Sequence, residues 1–488
     1  MLFNSYEFIF LFLPITFFVY FYLNKRRLTV ASRAFLVFAS LFFYSYWNII
    51  YLPLILSSML FNYTVGHYLS KGNNLEKTAS KKLLGFGIFA NLALLGYFKY
   101  SDFFIKNFNF VFGSNVPLLH IALPLAISFF TFQQIAYLVD SYNNETKEYD
   151  FLNYALFIGF FPQLIAGPIV HHKEMMPQFA NGKNKFINYK NITSGLFIFS
   201  IGLFKKVVVA DQFAIWANAG FDSADVLNFF EAWATSLSYS FQLYFDFSGY
   251  CDMAIGGALL FNIKLPINFY SPYKSLNIQD FWRKWHITLG RFLHKYLYIP
   301  LGGNRCPKWK NYLNLMIVFV LGGIWHGAGW GFIIWGALHG VASAIFRFYR
   351  DIATKFNITM PKIIAWFITF NFVNLTWIFF RANSLEDALK VLKGMIGLNG
   401  IALPHYFERF SMLKNLGFDF IYWLQNINGD YNTYLWIVFG FVIALFCKNS
   451  IELTNQKFSY KNAFFAAFVF AFAVLNLNKV SVFLYFNF

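Results

Sequence analysis

Cysteine is scarce in this chain. Cys251, Cys306 and Cys447 are the whole complement of 488 residues, and no two of them stand in a CxxC spacing. That pattern excludes a cysteine-rich zinc or iron–sulfur site and gives no sign of a disulfide framework. Charge is scarce too: 12% of residues are charged while 58% are hydrophobic, and a soluble protein of this length needs far more polar surface. Acidic residues are the scarcer sign, 22 against 39 Lys and Arg, for a formal net charge of +17. The basic residues fall in short clusters between apolar runs, as expected of loops that resist translocation. No stretch interleaves them with aromatics on a soluble face, so nucleic-acid binding is not expected. Three reactive signatures are missing as well. Leu301-Gly302-Gly303-Asn304-Arg305 has glycines but no P-loop Lys-Ser/Thr, no GxSxG elbow occurs, and His171-His172 with Glu174 lacks HExxH spacing. No metal site is expected, and those two histidines read as solvated in a basic loop.

What the chain does have is apolar sequence from end to end, with 69 Phe and 30 Tyr suited to lipid contact and to headgroup belts. It reads as an all-α polytopic membrane protein. The apolar run Phe8–Leu23 is followed, not preceded, by the basic cluster Lys25-Arg26-Arg27, which fits a first span starting outside rather than a cleaved leader. At about 20 apolar residues per span, the pattern predicts roughly ten to twelve crossings, some short, bent or re-entrant. Ala34 to Leu69 reads either as a hairpin turning near Trp47-Asn48 or as one long tilted helix. No internal repeat or appended soluble domain is visible, so residues 1–488 read as a single membrane domain. If the Lys448 to Lys461 loop is cytoplasmic, both termini lie outside.

Ionisable residues inside a membrane are costly, so their position is informative. They concentrate between about Tyr239 and Gly340, where four of the nine histidines lie: His286, His294, His326 and His339. Asp246, Asp252, Asp280, Arg283, Lys284, Arg291, Lys295 and Arg305 share the window. His326 sits in Leu-Gly-Gly-Ile-Trp-His-Gly-Ala-Gly-Trp (321–330). Flanking glycines allow close backbone approach and leave room for a ligand, and a partly dry imidazole can take a proton from an alcohol. The alternative is a buried histidine bonded to a neighbouring helix, and the flanking glycines and tryptophans favour function. His286 follows Asp280-Phe281-Trp282-Arg283-Lys284-Trp285, a stretch that cannot face lipid and either lines a cavity or lies at the interface. Chemistry and support are balanced for it. The cations from Arg283 to Arg305 suit a phosphate-rich donor, or are simply a cytoplasmic loop.

Five stretches carry a resemblance: LPLAISFFTFQQIAYLVD (123–140), FFPQLIAGPIVHHKEMMPQF (160–179), YFDFSGYCDMAIGGALLF (244–261), FWRKWHITLGRFLHKYLYIPLGGNR (281–305) and LGGIWHGAGWGFIIWGALHG (321–340). Together they resemble the membrane-bound O-acyltransferase (MBOAT) family, in particular its bacterial branch that O-acetylates exported polysaccharides such as alginate and peptidoglycan. The core motifs cover 123–340. The resemblance implies a ring of tilted helices around a central funnel, with Ala166-Gly167-Pro168 in a re-entrant turn. His326 matches the family's essential histidine and His286 the second active-site histidine. Trp325, Trp285, Arg283, Arg305, Asp246, Asp252 and Tyr485 are the substrate-binding candidates. Two departures stand out: His294-Lys295 replaces a common Arg-Asp, and Val170-His171-His172 has histidine where a basic residue is usual.

The expected reaction is acetyl transfer from cytoplasmic acetyl-CoA, with no bound cofactor, across the bacterial cytoplasmic membrane. A separate periplasmic acetyltransferase partner then finishes O-acetylation of the polysaccharide. Tyr485 offers the only hydroxyl in the aromatic tail 483–488; it is a transient acyl acceptor, a docking point for the partner, or a belt residue anchoring the last helix. Two rivals remain: D-alanyl transfer to teichoic acid on the same fold, and a lipid or sugar transporter without chemistry. Transporters tend to carry paired repeats with broken helices, whereas the polar residues here cluster once.

Overall fold

The computed structural model describes residues 1–70, 76–146, 150–410, 412–413, 419–421, 423–455, 458–477 and 483–484. Almost all regular structure among them is helical; the strands are one short parallel pair, Ala402–Pro404 beside Asp419–Ile421. Among the described residues, six helices are long and apolar enough to cross a membrane: Glu7–Lys25, Ile49–Leu69, Lys77–Phe112, Tyr189–Ser223, Trp330–Phe356 and Lys362–Arg381. Three shorter apolar helices, Thr29–Ser45, Tyr431–Leu445 and Tyr460–Leu475, accompany them. The chain is a multi-pass membrane protein. The ambiguous segment Ala34 to Leu69 is a hairpin, because Asn48 interrupts the helix: its side chain accepts a hydrogen bond from the Ile50 backbone at 2.9 Å and restarts the chain.

Two compact units divide the chain. The first comprises Met1–Phe204, Gly249–Asn268 and Thr454–Phe488. Phe3, Phe8, Phe43 and Phe161 form an aromatic core in it, with ring centroids 4.8 to 6.0 Å apart. Where hydrocarbon surrounds the helices, apolar burial discriminates little between partners, and polar side chains join them instead. Asn62 and Asn91 exchange amide bonds at 2.6 and 3.1 Å, and Ser58 donates to Gln134 at 2.8 Å. That network joins three helices. The turn Ile165–Val170 is buried throughout. His171 and His172 are also buried, at 5% and 7% exposure, not solvated as their basic loop suggests. His171 lies 3.7 Å from the buried Asp140, and a ring of Phe157 covers His172. Cys251 is core packing, with Asn268 donating to its sulfur at 3.3 Å.

The second unit comprises Lys205–Ser248 and Phe269–Leu453. Its axis is the front half of the long helix Phe229–Leu260, which buries Phe241, Tyr244, Phe245 and Phe247. The buried Glu231 holds the helix start, accepting from the backbone of Asn228 and Asn426 at 3.1 and 3.0 Å. Against this scaffold lie the short helices Ile278–Trp282 and Ile287–Leu293, then the hairpin Lys308–His326 and Trp330–Phe356.

Candidate functional site: a histidine at the end of a cavity

The hairpin that carries His326 is packed backbone to backbone. A Cβ on Gly323 would overlap the Phe332 carbonyl oxygen, and one on Gly336 would overlap that of Phe319. Glycine at both positions is what lets the two helices approach. Gly322 has another role: it borders a cavity, and a Cβ there would meet only the Leu293 side chain, at 3.4 Å. The first helix ends at His326, and extended Gly327 and Gly329 lead into the second.

His326 is 3% exposed and boxed by aromatic rings: Trp325 at 4.9 Å, Phe380 at 5.0 Å and Trp335 at 5.3 Å. It lines a cavity of about 490 Å³, a volume suited to a small-molecule ligand. Trp335 and Phe319 line the same space, as do Arg283, Arg291, His294 and Arg347. At 1.5 Å per residue, Arg347 lies about 18 Å along its helix from Trp335. The cavity therefore has an aromatic part at His326 and a cationic part at Arg347.

His286 does not line that cavity. It caps the helix Ile287–Leu293 in a left-handed conformation, φ 45° and ψ 51°, which costs a non-glycine residue about 1–3 kcal/mol and recurs at functional sites. The turn points a buried imidazole at Phe247, 4.9 Å away, and sets its ring centroid 6.4 Å from His326. Trp285 lies behind it, buried against Trp377 and Phe269 at 5.0 Å each.

The remaining sequence candidates scatter. Arg283 lines the cavity, whereas Arg305 is exposed on the loop beyond it. Asp246 is held by the buried Lys206 at 2.6 Å, with Asp211 at 2.9 Å on the same ammonium. Asp252 is buried in the first unit. Tyr485 lies outside the described residues. Arg347, Trp335 and Trp282 enter the cavity lining without having been singled out from sequence; nothing in the neighbours of Arg347 marks it.

Two local networks fix this architecture. Trp282 donates to His339 Nδ1 at 3.2 Å, so the imidazole proton sits on Nε2, which bonds Thr376 at 3.0 Å while that hydroxyl donates to the Val373 carbonyl at 2.8 Å. Both nitrogens of His339 are thus committed to packing. Beside the cavity, Asn311 donates to Tyr298 at 2.7 Å and to the Gly303 carbonyl at 2.9 Å, and Arg347 joins Tyr298, Asn304 and Asn311. The left-handed Gly302 and Gly303 make the loop turn that this cluster holds. The His294 ring lies tilted against Tyr298, with centroids 5.5 Å apart.

Comparison with known proteins identifies the relatives of this chain. The sequence model of the MBOAT, membrane-bound O-acyltransferase family matches residues 17–386, which contain the whole hairpin and its cavity. A peptidoglycan O-acetyltransferase of Helicobacter pylori is 53% identical, over 100% of this chain and 98% of its own length. A protein named "Probable alginate O-acetylase" of Pseudomonas aeruginosa is 38% identical, over 81% of this chain and 75% of its own. A teichoic acid D-alanyltransferase of Bacillus subtilis is 28% identical, over 51% of this chain and 66% of its own. The chain is therefore an acyltransferase, and it belongs to the membrane-bound O-acyltransferase family.

Proposed function

We propose that this enzyme moves an acetyl group from cytoplasmic acetyl-CoA through the bacterial cytoplasmic membrane for O-acetylation of an envelope polysaccharide. Peptidoglycan is the favoured acceptor, on the strength of the full-length likeness to the Helicobacter pylori peptidoglycan O-acetyltransferase; alginate-like polymers come second. A periplasmic partner protein completes the transfer. The whole chain acts as one membrane domain, its helices ringing a funnel with ten to twelve crossings, and both termini facing the periplasm.

The observation that carries this reading is His326 at the aromatic part of a cavity that Arg283, Arg291 and Arg347 also line. Guanidinium groups suit the phosphates of coenzyme A, and the aromatic part suits a small acyl thioester. His326 acts as general base on the acceptor hydroxyl. His286 stands 6.4 Å behind it, outside the cavity, and positions it. Trp325 and Trp285 pack around the two imidazoles outside the cavity lining and hold them in place; Asp246 and Asp252 act at a distance, through the scaffold. Tyr485 receives the acyl group transiently or docks the partner.

The test is transfer from labelled acetyl-CoA in membranes containing wild type, His326→Ala or His286→Ala at matched expression. Label should leave the donor with wild type, fall by at least about 10³-fold with His326→Ala, and fall less with His286→Ala. Equal transfer by all three would make His326 structural. Transfer only from a D-alanyl carrier-protein thioester would favour the teichoic acid reading, whose support is the more distant Bacillus subtilis relative.

A further inference from the structure

Two tryptophans line the cavity that His326 shares, Trp282 and Trp335, and their indole N–H groups differ in employment. That of Trp282 is given to His339 at 3.2 Å. Trp335 is 2% exposed, and its Nε1 has no hydrogen-bond partner among the described residues. Buried indoles ordinarily find an acceptor. This ring cannot easily turn to seek one. Trp377 stacks on it at 5.7 Å, Phe380 packs at 5.1 Å, Trp282 meets it at 5.7 Å, and the His326 ring stands perpendicular to it at 5.3 Å. A fixed donor beside the base, unused in the free protein, fits a group whose acceptor arrives with the substrate. Preorganised donors of that kind stabilise charge as it develops on a reacting oxygen.

We propose that Trp335 is a further catalytic residue, donating its indole N–H to the carbonyl oxygen of the acyl thioester as that oxygen becomes an oxyanion. The proposal rests on the reading of His326 as the general base. In the step, the acceptor's hydroxyl oxygen bonds to the thioester carbonyl carbon while its proton passes to the His326 imidazole. The carbonyl π pair moves onto oxygen, where the Trp335 N–H meets it. The pair then re-forms the C=O bond, the C–S bond breaks, and the departing thiolate takes the proton from the imidazolium. Ester and free thiol are the products, with nothing oxidised or reduced.

The experiment measures release of free CoA thiol against acetyl-CoA concentration, in membranes from cells that also contain the native envelope partners. It compares wild type, His326→Ala, Trp335→Phe, and full-length protein in which Trp335 is replaced by 3-benzothienylalanine, where sulfur stands for the indole N–H. The isostere keeps the ring's shape and stacking, so it isolates the proton even if Trp335→Phe folds poorly. The expected result is a kcat about 10²-fold below wild type for the isostere, with KM for acetyl-CoA within about twofold and an unchanged Tm. Wild-type kcat from the isostere, or a raised KM with unchanged kcat, would overturn the role of Trp335 while an inactive His326→Ala leaves the base in place. An active His326→Ala would instead remove the base, and this inference with it.

Discussion

At the scale of single residues, the second unit holds one costly arrangement away from the cavity. Lys206 is 3% exposed and bonds Asp246 at 2.6 Å and Asp211 at 2.9 Å. Removing one member of such a buried set strands the opposite charge, which costs about 3–5 kcal/mol. Lys206→Met is therefore expected to lower the Tm of the detergent-purified protein sharply, and the double change Lys206→Met with Asp246→Asn to recover part of it. A single variant as stable as wild type would mean that the carboxylates are neutral without the lysine. Sequence marks Asp246 as an intramembrane acid but cannot say what holds it, because Lys206 is forty positions away. The histidines teach the same lesson. His326 stands out among its glycines, whereas His339 is set apart only by the committed bonds to Trp282 and Thr376. The left-handed backbone of His286 leaves no trace in residue type, since φ is set by the turn that Ile287–Leu293 requires.

At the scale of elements, the glycines of the Lys308–His326 and Trp330–Phe356 hairpin divide by task. Gly323→Ala would push a methyl into the Phe332 carbonyl, whereas Gly322→Ala meets only a movable leucine side chain. Gly323→Ala should cost about 1–3 kcal/mol and reduce transfer, because the same hairpin carries His326, Trp335 and Arg347. Gly322→Ala should leave Tm nearly intact. Thermal unfolding of both variants in one detergent checks the contrast, and equal losses would refute the backbone-packing account. Helices as such were easy to anticipate, for apolar runs of span length announce themselves. Their breaks were harder. Asn48 turns a hairpin by a capping bond that hydropathy cannot register, and the short helices Thr29–Ser45, Tyr431–Leu445 and Tyr460–Leu475 fall below the length that marks a crossing by itself.

At the scale of the whole molecule, the proposed orientation follows from the clustering of basic residues, 39 Lys and Arg against 22 Asp and Glu, between apolar runs. A reporter that is active only in the periplasm should light up when fused ahead of Met1, and a cytoplasm-only reporter should do so when inserted in the connection 357–361 between the helices Trp330–Phe356 and Lys362–Arg381. The reverse pattern would invert the proposed topology and put the arginine-lined cavity on the wrong face for coenzyme A. Family membership was the most legible property of all, because five motifs in order leave little room for another fold. The cavity itself was the least legible, since Arg347 lies more than fifty positions beyond Arg283 and Arg291 and joins them only after folding. That cavity also has a meaning apart from catalysis. With the Arg347 guanidinium about 18 Å along one helix from Trp335, its outline suits a slender molecule with an anionic head and an aromatic or short acyl foot. A compound of that outline would occupy the seat of the donor from the cytoplasm, and so could silence a modification made outside the cell without resembling the polysaccharide at all.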